Sequence, residues 1–411
     1  MPRARGSALL TAGISLLAVA RLFGSPTMFT LGAGLIALPL VATLQNRLSR
    51  TRLSAARRLS ASSVTVGEPV KVEIEVENGS VAASGVLLIE DGAPEALGNP
   101  ARLVLSGVPA RRKKRIAYSI TPSTRGRFEV GPLQIETSDS FFLTRGRLRF
   151  EDMSRLVVKP PVEPLRAEAG RSFGAGGEGS SGLPFRSAEE FWTIREYQIG
   201  DDLRRIHWRS VARSGKLMIR QDEAASTPST TILLDTRNSA LGPSGSPGFE
   251  RAVSAAASVA IHMLRSGFSL RVATTESDPE TVDDSTALEI LAGLQDSPSS
   301  SLLPRLERIR RGTGAGSAFI VVTAPPTPPE IAELSRAASD FAPRTAVLVY
   351  PADLQSLSPG ARETLRGRAS VAERSLSRAG WSVFVIGPSD RLRDIWKTRT
   401  KGLPAAAGSL R

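Results

Sequence analysis

Residues 22–44 are a run of 23 positions without a charge, rich in Leu, Ala, Gly and Phe. As a helix the run is long enough to cross a bilayer once. A shorter uncharged run, 6–20, precedes it, and Arg21 extends that run if its head group snorkels to the interface. Gly24-Ser25-Pro26 reads as the turn between two crossings. Arg3 and Arg5 stand before the first run, and Arg47, Arg50, Arg52, Arg57 and Arg58 follow the second. Positive charge at both outer ends of a helical hairpin predicts that both ends, and the globular remainder with them, face the cytoplasm. It also predicts that residues 47–58 touch anionic lipid. The alternative is a secretory signal cleaved after Ala18-Val19-Ala20. The longer apolar run would then remain as an anchor with its positive flank on the wrong side.

Charge follows the same asymmetry. Of the net +13, residues 1–60 supply eight arginines and no acid, which leaves +5 for the other 351 residues. The basic excess belongs to the membrane end, so nucleic acid is not an expected partner. The absence of cysteine excludes disulfides, thiol nucleophiles and thiolate metal sites.

From Ser63 the hydrophobic period becomes two. Val70-Lys71-Val72-Glu73-Ile74-Glu75-Val76-Glu77 alternates without a fault, and Asn78-Gly79 closes it as a turn. Further short strands are predicted near 86–89, 102–105, 115–120, 127–130, 133–136, 148–150 and 156–159. Short strands at this spacing predict an Ig-like β-sandwich. Arg111-Arg112-Lys113-Lys114-Arg115 reads either as an anion-binding patch or as a solvated hairpin tip. The stretch 170–182 is mostly Gly and Ser and reads as a flexible linker. Inside it, Gly170-Arg171-Ser172-Phe173-Gly174 matches a nucleophile elbow, and Gly174, Gly176 and Gly179 match a dinucleotide loop. Neither has the strand before and helix after that its chemistry requires.

The stretch 195–220 packs seven basic residues and three acids around Tyr197, Ile206 and Trp208. Gly200-Asp201-Asp202 reads as a turn opening a short helix that runs to about Trp208, with Asp201 as its cap and Asp202 at its positive end. Ser214-Gly215 makes the next turn and residues 217–220 a short strand. The string Arg195-Glu196-Tyr197, Gly200-Asp201-Asp202, Arg204-Arg205-Ile206, Trp208, Ala212-Arg213 and Gly215-Lys216-Leu217 resembles the signature of domain of unknown function 58. Thr124-Arg125-Gly126-Arg127-Phe128, Gly131-Pro132-Leu133 and Ser138-Asp139 resemble that family's preceding segment, although Ser140-Phe141-Phe142 replaces its usual Pro-Phe-Gly. The resemblance implies paired membrane segments at the N-terminus. It also implies a MoxR-type AAA+ ATPase as partner, and work in assembly or cell-envelope processes. Its candidate partner-binding residues are Arg195, Glu196, Tyr197, Gly200, Asp201, Asp202, Arg204, Arg205, Ile206, His207, Trp208, Arg209 and Arg213.

After this stretch, strands and helices alternate. Strands are predicted at 231–234, 269–273, 318–323, 345–350 and 382–386, and helices at 249–265, 287–294, 302–310, 329–341, 359–379 and 391–398. The pattern predicts a mostly parallel, doubly wound sheet covered on both faces, with its functional edge at the carboxyl ends of the strands. Thr231-Ile232-Leu233-Leu234-Asp235-Thr236-Arg237-Asn238-Ser239 resembles the first motif of von Willebrand factor type A domains, in which an Asp and two hydroxyl residues help to hold a divalent metal. Here Arg237 replaces the first hydroxyl, and Ala324-Pro325 follows Thr323 where the family usually has an Asp. Asp235, Arg237 and Ser239 are therefore read as a degenerate site in which a guanidinium pairs with Asp235, magnesium is disfavoured and no cofactor is expected. The plain alternative is that Asp235 caps the following loop. His207 and His262 have no ligand spacing, and no nucleophile or metal constellation stands out.

The predicted order is a transmembrane hairpin over 1–46, a basic juxtamembrane linker over 47–62, and a β-sandwich over 63–160. A Gly/Ser-rich linker over 161–188, the signature segment over 189–225, a type A-like α/β domain over 226–398 and a tail over 399–411 follow. The expected function is a membrane-anchored, non-enzymatic scaffold or adaptor. The alternatives are a nucleic-acid-binding membrane protein using the Arg-rich stretch and a hydrolase with an unrecognised site.

Overall fold

The computed structural model describes residues 4–50, 52–138, 145–165, 192–198, 206–222, 228–312 and 317–401, in two units that divide after Pro160. The first unit opens with helices α1 (Ala4–Phe23) and α2 (Pro26–Arg50), both long and apolar enough to span a membrane. Gly24, at φ 62°, turns the chain between them, and Pro26 starts α2, where its missing amide is not needed. The helices meet along a seam of small residues. Gly6, Gly13 and Ala20 of α1 are buried at seven-residue spacing, as are Gly32 and Pro39 of α2. A Cβ at Gly13 would lie 2.7 Å from Ile36 Cγ1 and 3.0 Å from the Gly32 carbonyl oxygen. Glycine is what lets these two backbones approach.

Ten strands follow among the described residues of this unit: β1 (Leu53–Leu59), β2 (Ser63–Thr65), β3 (Val70–Asn78), β4 (Leu87–Asp91), β5 (Ala101–Leu105), β6 (Lys113–Ile120), β7 (Gly126–Val130), β8 (Leu133–Ser138), β9 (Arg145–Phe150) and β10 (Ser154–Lys159). They form sheets ordered β1-β3-β6, β5-β4-β8-β9 and β2-β10-β7. The alternation of β3 decides the layering. Val70, Val72, Ile74 and Val76 are all buried. Ile74 and Val76 pack with Leu87, Ile89, Leu105, Leu133 and Ile135, while Val70 and Val72 pack with Val130, Leu156 and Val158. The first sheet thus faces each of the other two across its own core cluster.

The expected linker over 47–62 is not one, because it holds the end of α2 and all of β1, which pairs with β3 from Leu53↔Asn78 to Leu59↔Val72. Its inward positions include Arg57, which is buried. Arg57 Nε donates to Asp91 Oδ2 at 2.9 Å, Nη2 donates to the same carboxylate, and Nη1 donates to the Val130 carbonyl at 2.7 Å. The Tyr118 hydroxyl donates to Asp91 Oδ2 at 2.8 Å. Burial, reinforced by the Asp91 charge, raises the Tyr118 pKa and keeps that donor protonated. Arg57 is therefore withdrawn from the expected lipid-facing group, while Arg52 and Arg58 remain exposed.

The second unit begins with a strap, residues 161–165, laid along a helix described below. The two-stranded antiparallel pair β11 (Trp192–Glu196) and β12 (Met218–Asp222) comes next, with α3 (Trp208–Ser214) between its strands in sequence. The rest alternates: β13 (Ser229–Leu234), α4 (Asn238–Leu241), α5 (Pro247–Arg265), β14 (Ser269–Thr274), β15 (Glu280–Val282), α6 (Asp284–Ala292), α7 (Leu303–Gly312), β16 (Ala318–Thr323), α8 (Pro328–Ala337), β17 (Arg344–Val349), α9 (Pro359–Arg378), β18 (Trp381–Ile386) and α10 (Leu392–Lys401). One six-stranded sheet runs β15-β14-β13-β16-β17-β18, parallel except for the edge strand β15. Numbered from β13, that is the doubly wound order 3-2-1-4-5-6. Successive residues of each strand feed opposite cores. Ile232, Leu234, Ile320 and Val322 pack with α5 and α10, and Leu233, Phe319 and Val321 with α7, α8 and α9.

The strap corrects the expected linker over 161–188. Ser254 Oγ donates to the Pro161 carbonyl at 2.8 Å, and the Glu163 amide donates to Ser258 Oγ at 2.9 Å. Arg251 pairs with Glu163 at 2.6 Å, and the other Glu163 oxygen accepts the Arg393 amide at 3.0 Å, in the first turn of α10. His262 bonds the Leu165 backbone, and Leu165 itself enters the core. Arg251, Ser254, Ser258 and His262 recur every three or four residues, so one face of α5 grips the strap. The Gly/Ser stretch itself lies outside the described residues.

Candidate functional site

The strand order reverses between β13 and β16, and two of the three residues read as a degenerate metal site, Asp235 and Arg237, meet there. Asp235 follows β13, and its amide donates to the Val322 carbonyl at 2.9 Å. Its side chain is fully buried. Oδ1 accepts the Arg237 amide at 3.0 Å and Arg237 Nε at 3.0 Å, while Oδ2 accepts Arg237 Nη2 at 2.8 Å and the Thr323 hydroxyl at 2.7 Å. Four donors thus occupy one carboxylate. The remaining arm of Arg237, Nη1, donates to Glu330 Oε1 at 2.7 Å and to the Ser300 carbonyl at 3.2 Å. Burial alone would lower the Arg237 pKa, but bonding and attraction to Asp235, then Glu330, outweigh it and raise the value. The guanidinium stays charged.

The loop below is tied just as closely. The Thr236 amide donates to Thr275 Oγ1 at 2.9 Å, and Ser297 bridges the Thr236 carbonyl and the Asn238 amide at 2.7 and 2.9 Å. Ser239 lies exposed on α4 and is not among the partners of Asp235. Glu330 was missed by the sequence reasoning, yet a signal was present. Thr327-x-x-Glu330 has capping-box spacing, and Glu330 Oε2 accepts both the amide and the hydroxyl of Thr327 at 2.7 Å. One carboxylate thereby caps α8 and clamps Arg237.

The signature segment is the second candidate. Gly200, Asp201, Asp202, Arg204 and Arg205 lie outside the described residues, so the expected Asp201 cap does too. Most of the helix expected from Asp201 to about Trp208 thus lies outside the described residues; at its expected end Trp208 is the first residue of α3, which Gly215, at φ 68°, ends. Gly215 supplies the left-handed C-terminal cap of the 208–214 helix. Arg195 and Glu196 lie on β11, opposite Ile219 and Met218, and Ile206 bridges Ile219 from outside the pair. The half-buried Tyr197 donates its amide to the Leu217 carbonyl at 2.9 Å. The half-buried His207 places Nδ1 2.9 Å from Ser210 Oγ, and its amide donates to the Met218 carbonyl at 2.9 Å. Glu196 pairs with Lys216 at the surface.

The outer side of α3 is unusual for a soluble helix. Trp208 is 68% exposed, Leu217 beyond the helix is 44% exposed, and Arg209, Ala212 and Arg213 are exposed. Among the described residues, neither Arg209 nor Arg213 makes an ion pair.

The sheet order and the filled switch point define a doubly wound α/β unit carrying an appended strand pair and short helix. Within it, residues 193–311 match the model of the family described as protein of unknown function DUF58. The chain is 23% identical over 248 residues to YeaD, an uncharacterized protein of Bacillus subtilis, and the match spans 58% of each chain. Among solved structures, it is similar to the CARDB domain of a Pyrococcus furiosus protein, at 11% identity and a TM-score of 0.21 over 26% of this chain and 91% of that one. It is also similar to the sporulation control protein Spo0M of Bacillus subtilis, at 14% identity and a TM-score of 0.17 over 26% of this chain and 49% of that one.

Proposed function

We propose that this chain is a membrane-anchored, non-enzymatic adaptor. In this reading α1 and α2 form a hairpin that holds both ends and the globular units on the cytoplasmic side. The α/β unit is a von Willebrand factor type A-like domain. Its partner is a MoxR-type AAA+ ATPase working in assembly or cell-envelope processes. The observation that carries the reading is the Asp235–Arg237–Glu330 lock. In doubly wound sheets, ligands bind at the carboxyl edge where the strand order reverses. Here the chain fills that place with its own guanidinium. A hard cation needs oxygen lone pairs, and those of Asp235 are already committed to Arg237 and Thr323. The residues do not fit magnesium, and no step is assigned to it. A site with its charges internally paired suits a rigid platform better than a reacting centre.

The test is affinity purification of the tagged full chain from native membranes, followed by mass spectrometry. An AAA+ ATPase is expected to co-purify in near-stoichiometric amount. Recovery of intact chain with no ATPase overturns the reading.

A further inference from the structure

We infer that the outer face of α3 is a docking surface for an acidic segment of a partner protein, with Trp208 as its anchor. The adaptor reading identifies that partner as the ATPase, and the inference rests on it to that extent.

Trp208, Arg209, Ala212 and Arg213 are spaced i, i+1, i+4 and i+5, so they form one stripe on a two-turn helix, and all four are exposed. The helix contains no acid, and both arginines lack an ion pair among the described residues. Two solvated cations beside an uncovered indole cost the isolated chain little in charge but leave apolar surface in water. Tryptophan and arginine are also the side chains most enriched where binding energy concentrates at protein interfaces. Charge complementarity makes the occupant acidic, and the indole requires an apolar recess within it. The neighbouring Glu196–Lys216 pair is already satisfied at the surface and frames the patch.

Other anionic surfaces fit less well. An interfacial membrane helix needs a broad apolar face, whereas α3 is seven residues long and offers Trp208 and Ala212 on its outer side, with Leu217 just beyond. Nucleic acid needs a track of cations following the phosphates, and among the described residues α3 presents two.

The experiment places a photo-crosslinking amino acid at position 212, exposed on the same helix, in the full chain in native membranes. In parallel, detergent-solubilised full chain is titrated with the purified ATPase. An adduct between position 212 and an acidic segment of the ATPase is expected. Trp208→Ala and the pair Arg209→Glu and Arg213→Glu are each expected to weaken binding at least ~10-fold, with melting unchanged. Arg374→Glu, on the exposed side of α9, should leave binding alone. Binding retained by the α3 variants, or an adduct only to lipid or nucleic acid, overturns the docking surface and leaves the adaptor reading standing. No association of the unaltered chain overturns both.

Discussion

Asp235 has both oxygens filled from within the chain, so its neighbours determine what removing any one of them does. Arg237→Ala leaves a buried carboxylate facing Thr323 without a counter-charge. Breaking a buried pair from one side costs about 3–5 kcal/mol. A correspondingly lower melting temperature of the full chain is expected, and Arg237→Lys should recover only part of it, since one ammonium cannot span Asp235 and Glu330 together. An unchanged transition would mean that the lock contributes nothing. Glu330 adds a pH dependence. Burial alone would raise its pKa, but bonds from Thr327 and then Arg237 hold it below the ordinary 4.5. A depressed folded pKa stabilises above the unfolded value, and that contribution disappears as pH falls through the folded one. Glu330→Gln should therefore lower stability at neutral pH and flatten its loss on acidification below about pH 4.5. Parallel pH profiles of the two melting curves would exclude this role. Asp235 and Arg237 were legible in the sequence because an apolar strand ends directly in them. Their third partner was not, because Glu330 lies 93 residues from Arg237 and only the fold brings them together.

At the scale of elements, periodicity carries as far as burial is regular. β3 is readable residue by residue because its inward positions from 70 to 76 are all Val or Ile. β1 is not, since its inward positions run Leu53, Ala55, Arg57 and Leu59, and the arginine is tolerated only because Asp91 waits 34 residues away. Only the closing end of α3 can be compared with the sequence pattern. Acidic residues at 201 and 202 suggest a helix opening, while the glycine at 215 fixes where the observed helix closes. The helical pair near the N-terminus offers the cleanest test. Gly13→Leu drives a side chain into Ile36 and the Gly32 backbone, an overpacking that costs about 1–3 kcal/mol. Gly34→Leu meets open space. The first is expected to lower the thermal stability of the detergent-solubilised chain and the second to leave it unchanged. Equal behaviour would mean that the seam does not hold the pair together.

For the whole molecule, alternation of strands and helices made a mostly parallel sheet legible. It did not reveal the neighbour order, because crossover direction leaves no trace in composition, nor the short edge strand β15. Orientation in the membrane is a matter of charge. Arginines flanking the outer ends of the two apolar runs predict that reporters active only in the cytoplasm will work when fused to either terminus; a silent but stably expressed C-terminal fusion would reverse the assignment. The strap also determines how the protein can be dissected. Composition invites a cut near residue 189, after the glycines. Such a fragment would lack Glu163, so Arg251 would lose its ion pair, Ser258 its bond to the strap and the first turn of α10 an acceptor. A fragment starting at Pro161 should give one sharp unfolding transition, whereas one starting at 189 should melt lower and aggregate. The natural beginning of the second unit is thus a handful of residues that look, by letter content alone, like the start of a spacer.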